Sequence, residues 1–273
     1  MANKVHYINL DSASDRKAAI ESSFQNTLPH GWKLERVSAT VARDVENVPG
    51  NISPVEKACF LSHQKIIQST LESGNHEMIV EDDCVFSRNA FRIVDDLTSG
   101  LDDKTWDLLF LEVGIGDTGQ MIDLKMERNR LAAERQISLL KLSKLSFFGS
   151  LSYVVNKNSK RKILQCLSKF TRLDLQYDLA LRHLIHGGEL NGLAVFPFIT
   201  TPSTHAKNSS IQKDETQQTD EILILFRNLM FMDRDVDEIA ARVADLERRC
   251  CDTESRVFGG IVAARVSPQF KVK

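Results

Sequence analysis

Between Ser53 and Asp83 the chain spells out one helix and one strand in close succession, and this stretch constrains the fold class most. Ser53 can cap a helix, Pro54 suits its first position, and Glu56 stands three residues after the cap. The helix should run to about Glu72 and stop at Ser73-Gly74. Met78-Ile79-Val80 then reads as a buried strand that ends abruptly at Glu81-Asp82-Asp83. Similar units lie on both sides. Val5 to Leu10 reads as a strand, Asp15 to about Asn26 as a helix, and Leu34 to Ala39 as a strand. Further on, Asp107 to Glu112 and Phe147 to Val155 read as strands, and Asn158 to Ser168 and Leu175 to Ile185 as helices. Leu193 to Ile199 is a strand broken by Pro197. Strands alternating with helices imply an α/β sheet with a parallel core. Gly114 to Lys144 is a long excursion with a helix around Glu127 to Gln136.

Beyond Ser203 the character changes. Thr204 to Asp220 is polar, and two amphipathic helices follow, Asp220 to Asp233 and Asp235 to Arg249. In the second, Val236, Ile239, Val243 and Leu246 recur at three- and four-residue spacing. The organisation expected is a main domain over 1–211 and a helical extension over 212–273. The extension either packs on the domain or serves self-association as a homodimer. With Arg242, Arg248 and Arg249 nearby, a peripheral contact with an anionic membrane surface is a further use.

The net charge of −2 and the aromatic content of 7% argue against a nucleic-acid partner. The five cysteines fall in no zinc-finger or CxxC spacing, which suits reduced thiols in the cytosol. The opening Met1 to Tyr7 lacks the apolar core of a signal peptide, and no apolar run reaches the length of about 18 residues that a membrane span needs. The expected location is cytoplasmic.

Three acids in a row are often a solvated turn. Here they follow a buried run, and in open α/β sheets ligands bind beyond the carboxyl ends of strands. Carboxylates there can share Mg²⁺ or Mn²⁺ with substrate phosphates, and such an ion neutralises the charge that builds on a leaving diphosphate. If the segment stays extended, Glu81 and Asp83 project to one side and Asp82 to the other. Asp83 is therefore the first choice as metal ligand. Asp82 or Glu81 is the second, or else holds the ribose and metal-bound water.

Several patches together resemble glycosyltransferase family 25, the lipopolysaccharide-type glycosyltransferases. Tyr7-Ile8-Asn9-Leu10-Asp11 with Asp15-Arg16 is similar to the family's opening motif, and Glu56 to His63 to its "GC…SH" segment, with Ala58 where Gly is usual. Glu81-Asp82-Asp83 is similar to its acidic donor-site motif, Trp106 to Leu111 to the strand after it, and Phe148 to Val155 to its "G…AY" strand. The resemblance spans roughly residues 4–211. It implies a GT-A-like, Rossmann-type mixed sheet flanked by helices, with the carboxy-terminal helices as an appendage outside the match. It also implies a UDP-sugar donor, Mn²⁺ or Mg²⁺, inversion at the anomeric carbon, and a glycan or glycolipid acceptor in lipopolysaccharide or lipooligosaccharide biosynthesis at the cytoplasmic face of the inner membrane.

On this reading Asn9, Asp11 and Arg16 contact the donor's uracil, ribose and diphosphate, since the Arg fork donates paired hydrogen bonds. Ser62 and His63 lie within a helix, either structural or in the donor pocket. His205, in a late loop with Lys207, Ser209 and Ser210, is either a loop residue or a further metal ligand. The catalytic base is open between Asp178 and Asp174, which compete for the aspartate of the family's "PVD" segment. Two alternatives stand beside this reading: a nucleotidyltransferase or phosphohydrolase using the same acids, and a catalytically inactive sugar-binding homologue.

Overall fold

The computed structural model describes residues 3–27, 30–203 and 217–269. A seven-stranded mixed sheet runs through it in the order β2-β1-β3-β9-β5-β10-β7. Its strands are β1 (Asn3–Asn9), β2 (Trp32–Ser38), β3 (Glu77–Glu81), β5 (Leu108–Phe110), β7 (Ser138–Lys141), β9 (Ser152–Val155) and β10 (Gly192–Phe196). β1 lies parallel to β2 and β3, β9 runs antiparallel between β3 and β5, and β10 is parallel to β5. The carboxyl ends of β1, β2, β3 and β5 and the amino end of β9 therefore share one edge. This is the helix-flanked mixed α/β sheet expected from the sequence.

Both faces of the sheet are covered, which is why β3 reads as an unbroken apolar run. Ile79, Leu108, Phe110 and Tyr153 pack against α2 (Pro54–Ser69), α5 (Lys160–Leu167) and α6 (Tyr177–His186). Met78, Val80, Leu109 and Val154 pack on the other side, with Ile20 of α1 (Ser14–Gln25) and Phe91 and Val94 of α3 (Ala90–Gly100). The capping box of α2 forms in both directions: the Ser53 hydroxyl accepts from the Glu56 N–H, and the Glu56 carboxylate accepts from the Ser53 N–H.

Three expectations are corrected. Phe147 to Val155 is two strands, because Gly149 adopts φ +90° and turns the chain. β8 (Phe147–Phe148) pairs with β6 (Gly114–Ile115), and only β9 joins the main sheet. The Gly114 to Lys144 excursion is ordered as α4 (Thr118–Glu134), capped by Asp117, followed by β7. The carboxy-terminal region holds three helices: α7 (Gln217–Met230), α8 (Val236–Cys250) and α9 (Thr253–Val266). Ile239 and Leu246 of α8 are buried with Leu225 of α7, while Val236 is exposed. α7 is bound into the main body. The buried Arg128 of α4 donates to the carbonyls of Leu229 and Phe231, and Thr201 donates to Asn228. β4 (Cys84–Phe86) and β11 (Thr200–Pro202) form a small ribbon beside the sheet edge.

Candidate functional site

β3 ends at Glu81, and the turn Asp82-Asp83 carries the chain into β4. The three carboxylates find different surroundings. Asp82 is the paired one: Arg16 Nη2 lies 2.5 Å from its Oδ1, and Asn9 Nδ2 donates to its Oδ2 at 2.7 Å. Burial raises its pKa, partly offset by the Arg16 charge. Glu81 accepts from the Ser150 hydroxyl at 3.1 Å and stands 3.6 Å from His63 Nε2. Burial pushes Glu81 up, but the neighbouring His63 and the Ser150 hydroxyl outweigh it and hold it below the usual carboxylate range. Asp83 has Arg16 at 3.5 Å from Oδ2, while its buried Oδ1 has no hydrogen-bond partner among the described residues. Burial and then the Glu81 charge push Asp83 up to about 6.

Two cavities meet at these acids. The smaller, about 190 Å³, is lined by Asn9, Arg16, Ser62, His63, Glu81, Asp82 and Asp83. The larger, about 590 Å³, also reaches Glu81 and Asp83, and its far wall holds Tyr177 and Asp178 from the start of α6 and Arg227 from α7. Of the residues singled out in the sequence, seven thus gather around the smaller cavity and Asp178 lines the larger one. Asp178 Oδ2 accepts from the Gly149 N–H at 2.7 Å, so the left-handed turn at Gly149 fixes the carboxylate in the wall.

The others lie apart. Asp11 is exposed and held by Arg36 and Ser38, lining neither cavity. Asp174 accepts from the Asn51 N–H at 2.8 Å and also lies outside both cavities. It does not cap α6, whose N-cap is Gln176. His205, Lys207, Ser209 and Ser210 fall outside the described residues.

Sequence reasoning missed one central pair. Arg227, which lines the larger cavity, grips Glu112 behind it in a two-bond fork, 2.5 Å and 2.6 Å. Glu112 is fully buried; burial raises its pKa, and the Arg227 charge opposes that. The signal that selected Glu81, an acid directly after a buried apolar run, applies equally to Glu112 after Leu108 to Leu111. Nothing in the sequence marks Arg227 apart from other polar residues of an amphipathic helix.

Glu81 and Asp83 both line the larger cavity, and the buried Asp83 Oδ1 has no hydrogen-bond partner among the described residues. An oxygen-preferring divalent cation fits that donor set. Asp82, committed to Arg16 and Asn9, is less available as a ligand. Burial pushes the Cys59 thiol well up, so it is protonated at neutral pH in the metal-free protein.

The sequence pattern of glycosyltransferase family 25 (LPS biosynthesis protein) matches residues 2–181. Among curated proteins, none matches the chain. Among solved structures, the apo form of mouse xyloside xylosyltransferase 1 is similar over 68% of this chain and 70% of that chain, with 11% identity and a TM-score of 0.36.

Proposed function

The chain belongs to glycosyltransferase family 25 and is a glycosyltransferase, and from that premise we propose that it transfers a hexose from a UDP-sugar to a glycan or glycolipid acceptor, with inversion and with Mn²⁺ or Mg²⁺. The observation that carries the finer reading is the meeting of Glu81, the unpartnered Asp83 oxygen and Asp178 in one cavity. Asp83 and Glu81 would hold the ion, which when bound neutralises charge on the leaving diphosphate as a Lewis acid.

The chain's own groups account for the rest. Arg16 bridges Asp82 and Asp83 beside the smaller cavity, where its remaining donors suit a diphosphate. Arg227, held in place by Glu112, lines the same cavity, and its charge favours the ionised forms of Glu81 and Asp83. Asp178 takes the proton of the acceptor hydroxyl as that oxygen attacks the anomeric carbon and the bond to the diphosphate breaks. Asp174 is the weaker candidate, because its carboxylate is engaged by Asn51 away from the cavity. A glycolipid acceptor would place the protein at the cytoplasmic face of a membrane; among the described residues no helix is long and apolar enough to cross one.

A panel of UDP-sugars, each with and without Mn²⁺, tests the reading, followed by an acceptor screen with the donor that turns over. Turnover of one UDP-sugar that is lost on chelation supports it. Transfer from a non-uridine donor, or full activity in excess chelator, rejects the donor and metal assignments respectively. Asp178→Asn should cut transfer by at least about 100-fold, the low end of general-base contributions, while UDP affinity holds. Should Asp174→Asn show that loss instead, the base lies four residues upstream.

A further inference from the structure

We propose that Cys59, His63 and Glu81 form a second metal site of softer character, which takes up Zn²⁺ and so withholds Glu81 from the transfer reaction. The withholding rests on the role proposed for Glu81 above; the site itself does not.

Cys59 and His63 stand four residues apart on α2 and so share one face of the helix. Glu81 meets them from the end of β3. One ligand atom from each residue, a sulfur, a ring nitrogen and a carboxylate oxygen, lies within 4.8 Å of the other two. Thiolate, imidazole and carboxylate together suit Zn²⁺, whereas Mg²⁺ and Mn²⁺ favour oxygen alone.

The second observation is the state of His63. Its side chain is fully buried, yet Nε2 has no hydrogen-bond partner among the described residues and points towards Glu81 Oε1 at 3.6 Å. A buried ring nitrogen without a hydrogen bond bears a desolvation penalty that Glu81 at 3.6 Å offsets only in part, and a metal ion would relieve it. The other nitrogen is held. Nδ1 lies 2.9 Å from the Tyr153 hydroxyl, which also bonds the Tyr177 hydroxyl at 2.9 Å, and the Tyr177 ring stacks on the imidazole at 4.4 Å. With Nδ1 donating to Tyr153, metal binding displaces any proton that Nε2 shares with Glu81, and the freed lone pair faces Cys59 and Glu81. A fixed hydrogen bond on the far nitrogen is how proteins orient a ligating histidine.

Access is open, since Cys59 and Glu81 line both cavities. Three protein ligands with a fourth position facing a cleft is the pattern of an open rather than a closed, structural zinc site. On binding, the zinc–sulfur bond replaces the S–H bond of Cys59, and the proton leaves to solvent; nothing is oxidised or reduced.

Titration of the full chain with Co²⁺, without donor or acceptor, tests the site independently of catalysis. One equivalent should produce an ultraviolet thiolate-to-cobalt band and visible bands of a four-coordinate ion, both displaced by Zn²⁺. Cys59→Ser should remove the ultraviolet band and weaken Zn²⁺ binding by more than about 100-fold; Tyr153→Phe, which acts from behind His63, should weaken it by about 10–100-fold. The double variant Cys250→Ser/Cys251→Ser should bind as the wild type does. A thiolate band that persists in Cys59→Ser, or vanishes in the double variant, overturns the site. In Mn²⁺-supported transfer, Zn²⁺ should inhibit the wild type and inhibit Cys59→Ser far less. Zinc bound at Cys59 with no loss of transfer overturns the withholding of Glu81.

Discussion

At Asp83 burial and the Glu81 charge act against ionisation together, and Arg16 at 3.5 Å compensates only in part. The consequence for stability has a definite sign. A carboxyl whose pKa is raised to about 6 in the native state, against about 3.9 unfolded, loses native stability as pH climbs through that window and bears the full penalty above it. In the presence of a chelator, Asp83→Asn should therefore raise the melting temperature at pH 8 and leave it nearly unchanged at pH 4, while abolishing metal-supported transfer. Equal melting curves at pH 8, measured calorimetrically, would remove Asp83 as a strained ligand. Arg16→Ala should weaken UDP binding by about 1.5–3 kcal/mol, the range for a charge-assisted hydrogen bond, read by isothermal calorimetry. These residues were legible in the sequence because an acid after a buried apolar run can point only at the sheet edge. What the sequence could not convey is the division of labour. Asp82 is neutralised by Arg16 and Asn9, partners 66 and 73 residues away in the chain, and local spacing says nothing about which acid they choose.

Among elements, the join of α2, β3 and α5 shows how a polar cluster can fasten apolar pieces. Lys160, almost wholly buried at the start of α5, donates to the carbonyls of Thr70 and Ser73 beyond the end of α2 and to Glu77 of β3. Glu77 also meets His6 of β1 at 2.9 Å. Burial pushes Glu77 up, yet the hydrogen bonds of His6, Ser73 and Lys160 outweigh it and lower its pKa. That contribution is present at neutral pH and lost as pH falls below about 4. Lys160→Met should destabilise the fold by about 3–5 kcal/mol in urea unfolding, the penalty for removing one partner of a buried pair. A loss below about 1 kcal/mol would mean that water reaches Glu77 and replaces the lysine. The elements themselves were readable where caps and both-face burial coincide, as in α2 and β3. Phe147 to Val155 misled because its apolar run continues past Gly149, and a run alone does not reveal that its two halves pair with different strands. α9 escaped notice because it buries no side chain and so shows no apolar stripe.

Across the whole molecule, α7 belongs to the wall of the larger cavity while α9 lies against the outside. Removing residues 251–273 should leave secondary structure and UDP binding intact by circular dichroism and calorimetry. Removing residues 217–273 should unfold the protein, since it strips Arg227 from the fully buried Glu112 and takes away the carbonyls that hold Arg128. A folded, cooperative product of the longer deletion would contradict that account. The Glu112–Arg227 fork also joins positions 115 residues apart. Closing a contact so distant in sequence costs loop-closure entropy. On the ribosome the acids of the site, Glu81, Asp82 and Asp83, emerge long before Arg227 is made. Until then Glu112 has no counter-charge, and the larger cavity lacks the part of its wall that α7 supplies. The growing chain therefore completes the wall of the larger cavity only once synthesis has passed α7.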